Sequence, residues 1–216
     1  TVLVLVQAGC SAKQSIGALV SPAASDEKIS SDVDLNEYKK ERILVFVNQP
    51  AWLNSEHNLR AMLTRKILDE LEEEAEVPAK ALISYDAVAR FRESGAFLSD
   101  NSPAGIAGAL EADVVVLVEI EDYRVERLVE GEYYKGLIVT GSSVLETGDW
   151  QKLWPNSQEQ SRDKVGFDIE YGSRDKAAKR LIDAASHCIV RDLYDCRKVN
   201  YSHPDDISGM VWQKWE

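Results

Sequence analysis

Residues 114–129 read VVVLVEIEDYRVERLV, the longest β signal in the chain. The first five positions are all aliphatic, so both faces of that stretch need cover from other elements, which predicts a central strand rather than an edge. From Glu119 onward apolar and polar residues alternate, so one face there emerges into water. A strand of this kind requires neighbours in the plane of a sheet and helices packed against it.

The rest of the 216 residues supplies those partners in order. RILVFVNQPAW opens with a β-branched run over residues 43–47 and is closed by Pro50, which cannot continue a ladder. Asn54 and Ser55 are placed as caps for a helix whose apolar residues recur at Leu59, Met62, Leu63, Ile67, Leu68 and Leu71. Residues 81–85 make a second short strand, Asp86 caps a brief helix turning Val88 and Phe91 inward, and 95–103 form a loop. Ile106, Ala107 and Leu110 give another short helix, which hands over at Asp113 to the long strand. Beyond a turn at Glu130 and Gly131, YYKGLIVTGSSVLET and, after Thr147-Gly148-Asp149, WQKLW complete an antiparallel meander. KVGFDIEY then alternates with Val165, Phe167, Ile169 and Tyr171 on one face, and a helix over 174–197 packs Leu181, Ala185, Cys188, Ile189 and Leu193. The expected fold is α+β, with one mixed, largely antiparallel sheet flanked by helices.

Charge narrows the function classes. With 37 acidic and 25 basic residues the formal charge is −12, so a surface that coats phosphate backbone is excluded and no nucleic acid partner is expected. No apolar run reaches the roughly 18 residues of a membrane span. Cys188 and Cys196, eight residues apart on one expected helix, would stand roughly 12 Å from each other, beyond the reach of a disulfide, and read as small core residues.

The amino-terminal TVLVLVQAGCSAKQ resembles the end of a bacterial lipoprotein signal segment. The resemblance implies that Ala8 and Gly9 fit the peptidase and that Cys10 takes the lipid, while Gln7 departs from the aliphatic residue usual at that position. The competing reading makes Val2 to Val6 a buried strand with Cys10 in the core. Residues 11–41, rich in Ser, Ala, Lys and Asp and without period, are expected to be a flexible tether. The division is therefore 1–10 signal end, 11–41 tether, 42–197 α+β domain and 198–216 carboxy-terminal tail.

The elements RILVFVN, LRAMLTRKILDEL, LISYDAVARF, IAGALEADVVVLVEIEDY and SSVLETGDWQKLW together resemble the family that includes the TolB amino-terminal domain, the curli-secretion lipoprotein CsgG and LpoB. The resemblance covers about Arg42 to Arg197. It implies a sheet flanked by helices and a non-enzymatic role: a periplasmic protein, lipid-anchored to the bacterial outer membrane, that binds or helps assemble another envelope protein, as a cell-wall synthase activator or a secretion accessory does. It implies no catalytic residues, no metal and no cofactor, and membrane contact through the lipid alone. It leaves the oligomeric state open. The charged hairpin around Glu130 and Gly131 argues against a membrane barrel.

Candidate sites are sparse. His57 and His187 read as surface and boundary residues, and His203 with Asp205 and Asp206 reads as a Pro-containing turn or as a metal set. Glu119 and Glu121 could meet the carboxylate spacing of about 5 to 9.5 Å used in glycoside hydrolysis. A hydrolase or metal-dependent enzyme built on those groups is the alternative function. In the tail, Trp212 and Trp215 are expected by default to pack on their own domain and are candidate partner-binding residues as the alternative.

Overall fold

In the computed structural model the described residues are 28–31, 33–38, 40–53, 57–93, 102–128 and 132–197. Cys10, Asn54, Ser55, Glu130, Gly131, His203, Asp205, Asp206, Trp212 and Trp215 lie outside them. The strands are β1 (Lys28–Ile29), β2 (Ile43–Asn48), β3 (Leu82–Ile83), β4 (Val114–Arg127), β5 (Tyr133–Glu146), β6 (Lys152–Trp154), β7 (Ser161–Tyr171) and β8 (Cys196–Arg197). The helices are α1 (Leu59–Glu73), α2 (Tyr85–Glu93), α3 (Pro103–Ala109) and α4 (Arg174–Val190), with a 3-10 turn at Leu35–Tyr38.

The aliphatic half of β4 is central, pairing parallel with β2 and antiparallel with β5. The main sheet runs β3-β2-β4-β5-β6, with β7 pairing β5 as well, so the fold is α+β on a six-stranded mixed sheet, and β1 and β8 form a separate two-stranded sheet. One face of the strands turns Val45, Val116, Val118 and Ile138 against α1 and α4, which contribute Leu59, Leu63, Ile67, Leu181 and Ile189. The other face packs Leu44, Phe46 and Val115 under Val88 of α2 and Ile106 and Ala107 of α3. Each fully buried Leu or Ile contributes about 2 kcal/mol relative to exposure, so the two layers account for both apolar faces of the Val run.

Caps set where the helices begin. The Asn58 side chain accepts from the Ala61 amide at 3.1 Å, so it is Asn58 that caps α1. Ser102 and Ser173 do the same for α3 and α4, each accepting at 3.1 Å. Gly172, just ahead of the Ser173 cap, has φ of 134°, which side-chain-bearing residues rarely adopt. Ser84 rather than Asp86 caps α2, accepting from the Ala87 amide.

Three expectations are corrected. First, the tether does not extend to residue 41. Lys28–Ile29 pairs antiparallel with Cys196–Arg197, the Leu35 amide donates to the Leu193 carbonyl at 2.9 Å, and Leu35 is fully buried. Apolar Val33 and Leu35 are enough to hold this otherwise polar stretch against the core.

Second, the last helix ends at Val190, and Cys196 lies in β8, so the two cysteines are not on one helix; both are buried and neither forms a disulfide.

Third, Ile169 and Tyr171 do not share the face of Val165 and Phe167. Tyr134 pairs with Glu170 but Gly136 with Phe167, so β7 carries one extra residue and its alternation reverses across Asp168 and Ile169. Glu170 is turned in, and Ile169 and Tyr171 are turned out.

Candidate functional site

A second bulge sits in β4. Ile120 pairs with Thr140 and Asp122 with Val139, leaving Glu121 as the extra residue. Ile120 and Val125 can then both be buried although they are five apart, and Glu121 and Asp122 both reach the opposite face.

That opposite face is the one α2 and α3 cover over the first half of β4. Further along, where β4, β5 and β7 continue, no described element covers it. It holds a groove of about 800 Å³ whose floor is Leu137 and Val139 and whose edge carries Trp52, 70% exposed. Charged pairs line it: Arg162 Nε donates to Glu121 Oε2 at 2.8 Å, and the Arg124 guanidinium forks onto both oxygens of Asp122. The fork holds the Asp122 carboxyl below the usual carboxylate range. Lys164 projects from β7 into the groove, where its charge also helps lower the Asp122 carboxyl. A neighbouring hollow of about 340 Å³ shares Leu137 and Lys164 and extends the groove past Gly166 to the Lys135–Asp168 pair.

At the hairpin end the same face turns apolar. Tyr133 stands beside Tyr171 with ring centroids 5.4 Å apart, the Leu128 amide donates to the Tyr133 carbonyl, and Ile169 projects from the bulge. Leu128, Tyr133, Ile169 and Tyr171 are all exposed large hydrophobic residues.

Beneath this face lie groups that periodicity does not announce. Glu170 is buried with Arg180 of α4, whose Nη1 donates to its Oε2, and Lys176 Nζ approaches Oε1 at 3.4 Å. Nothing in the sequence signals the pair, because FDIEY alternates without a break and it is the bulge that places Glu170 on the helix side. Between α1 and α4, Glu70 is buried against Lys66 and Ser186, and burial pushes its carboxyl up to about 7. His187 beside it is pushed down to about 4, chiefly by burial. His57 is not a surface residue: its side chain is largely covered and Nε2 meets Asp175 Oδ1 at 2.9 Å, joining the starts of α1 and α4.

The sequence candidates fare unevenly. Glu121 is in the groove but committed to Arg162, and Glu119 lies opposite Gly141 of β5 and Asn48 of β2. Among the described residues no group of three or more His, Cys, Asp or Glu could hold a metal ion, and no helix is long and apolar enough to cross a membrane.

No protein-family model and no curated protein matches the chain. Several solved structures are similar. A lipoprotein of Neisseria meningitidis has a TM-score of 0.44 at 13% identity, covering 69% of this chain and 98% of that one. A PelC dodecamer subunit of Paraburkholderia phytofirmans has a TM-score of 0.42 at 10% identity, covering 78% and 97%. The LpoB carboxy-terminal domain of Salmonella enterica has a TM-score of 0.36 at 15% identity, covering 68% and 93%.

Proposed function

We propose that this chain is a non-enzymatic envelope lipoprotein, anchored through Cys10, whose folded body docks on another envelope protein in the manner of a synthase activator or secretion accessory. The observation that carries the docking part is the pair Tyr133 and Tyr171 on adjacent strands β5 and β7, with Leu128 just past the end of β4 and Ile169 beside them, exposed at the hairpin end. Aromatic residues on a rigid sheet lose little side-chain freedom on binding and supply large contact area, which suits an anchor for a partner surface. The anchor part rests on the Cys10 segment and the polar stretch that follows it. Residues 11–27 are the tether under this reading, 28–197 the body and 198–216 a tail whose Trp212 and Trp215 are further partner contacts.

Metabolic labelling with a fatty-acid analogue tests the anchor. The full-length protein in its own cell is expected to carry the label and the Cys10→Ser variant to lose it; label retained in the variant contradicts the lipoprotein reading.

A further inference from the structure

We infer that the groove between Trp52 and Lys135 binds a strand of acidic polysaccharide, a sugar chain with spaced carboxylates. This goes beyond the docking role and uses a different part of the open face. Three features of the groove point to that class of ligand.

The first is how its charges are arranged. Glu121 is paired with Arg162, Asp122 with Arg124 and Asp168 with Lys135, so each carboxylate already has its cation. Fixed pairs of this kind present hydrogen-bond donors and acceptors side by side, which match the hydroxyl groups of a sugar ring. Lys164 is a fourth lining cation against three lining carboxylates, and its charge also acts on Asp122. A protein of formal charge −12 that keeps a surplus of basic groups in one groove favours a negative ligand there, and a single surplus ammonium fits carboxylates that recur at intervals rather than a dense polyanion.

The second is Trp52. Its ring is 70% exposed at the edge of the groove. A flat aromatic face with polar groups beside it suits the C–H face of a pyranose, whose hydroxyls point outward to the pairs. The anchor of a protein interface is instead desolvated and ringed by apolar contacts, and the floor here offers only Leu137 and Val139.

The third is shape. The groove follows β5 from Val139 to Lys135, about 13 Å at the rise of a strand, and continues beyond it to Trp52. It is long, shallow and open, which suits a chain rather than a single small molecule. Gly166, which lines the groove, leaves no room for a side chain, because a Cβ there would lie 2.9 Å from the Gly136 carbonyl oxygen of the neighbouring strand.

The test is calorimetric titration of the full chain with an oligogalacturonate, a fully N-acetylated chitin oligosaccharide of equal length and a polyglutamate peptide. The acidic sugar is expected to bind, with affinity falling as salt is raised, and both the neutral sugar and the peptide at least tenfold more weakly. Trp52→Ala and Lys164→Gln, both at exposed positions, are each expected to lower affinity about tenfold, the loss of one good contact, with melting temperature unchanged. Three results would overturn the inference: no binding of the acidic sugar, binding indifferent to both substitutions, or binding of the peptide or the neutral sugar as tight as that of the acidic one.

Discussion

Glu70 is the residue whose environment departs furthest from what its type suggests. It occupies a helical position between Lys66 and Glu74 that reads as part of a solvated acidic face, yet packing of α1 on α4 buries it beside Ser186. Its carboxyl is raised to about 7 from an ordinary 4.5, so the folded state holds a proton that the unfolded chain releases. The stability this contributes is fully present below pH 4.5 and is lost as pH rises through 7, about 3 kcal/mol at most. The Glu70 contribution therefore falls between pH 5 and pH 8, and the melting temperature of Glu70→Gln should gain on that of the parent as pH rises through that range; a constant difference between the two contradicts the assignment. His187 works in the opposite direction. Its imidazole, lowered to about 4 from 6.5, supplies stability above pH 6.5 that is lost as pH falls toward 4. Neither shift is legible in the sequence, because each comes from a partner helix more than 100 residues away in the chain.

At the scale of elements, much of the architecture was legible. The doubled aliphatic faces of residues 114–118 place β4 centrally, and the spaced Leu residues of α1 give its buried stripe. The bulges were not, since strict alternation assumes an unbroken ladder, and one inserted residue exchanges the two faces. A cue was present only in β4, as the two successive polar residues Glu121-Asp122; β7 alternates in sequence straight through Asp168-Ile169. The bulge in β7 is what brings Glu170 onto Arg180. Arg180→Met should cost about 3 kcal/mol by leaving a buried carboxylate with only the more distant Lys176; a chemical-denaturation midpoint like that of a surface variant would mean the pair is not buried. The amino-terminal segment was misread because composition averages over it, while two residues, Val33 and Leu35, decide its fate. Leu35→Ala should destabilise the body by about 2 to 3 kcal/mol, whereas a free tether would show no change in the same unfolding curve.

At the scale of the whole molecule, α4 connects two ends with different tasks. Its start adjoins the hairpin end, where the Gly172 amide donates to the Glu132 carbonyl at 2.7 Å. Its end leads into β8, which pairs with β1, so the described chain enters and leaves side by side about 25 Å from the hairpin end, taking 1.5 Å per residue over 17 residues. The β1–β8 end, where the described chain enters and leaves, therefore lies opposite Tyr133, Ile169 and Tyr171. The candidate site was only partly legible: Glu121 was singled out as a carboxylate, but the aromatic row depends on pairing across strands and on the reversed phase of β7. The most direct measurement is comparative capture from native envelopes of the full chain and an Ile169→Asp/Tyr171→Asp variant, with melting temperatures recorded for both. Enrichment of one envelope protein by the parent chain and its loss in an equally stable variant is the predicted result; equal recovery by both chains would contradict docking through the hairpin end.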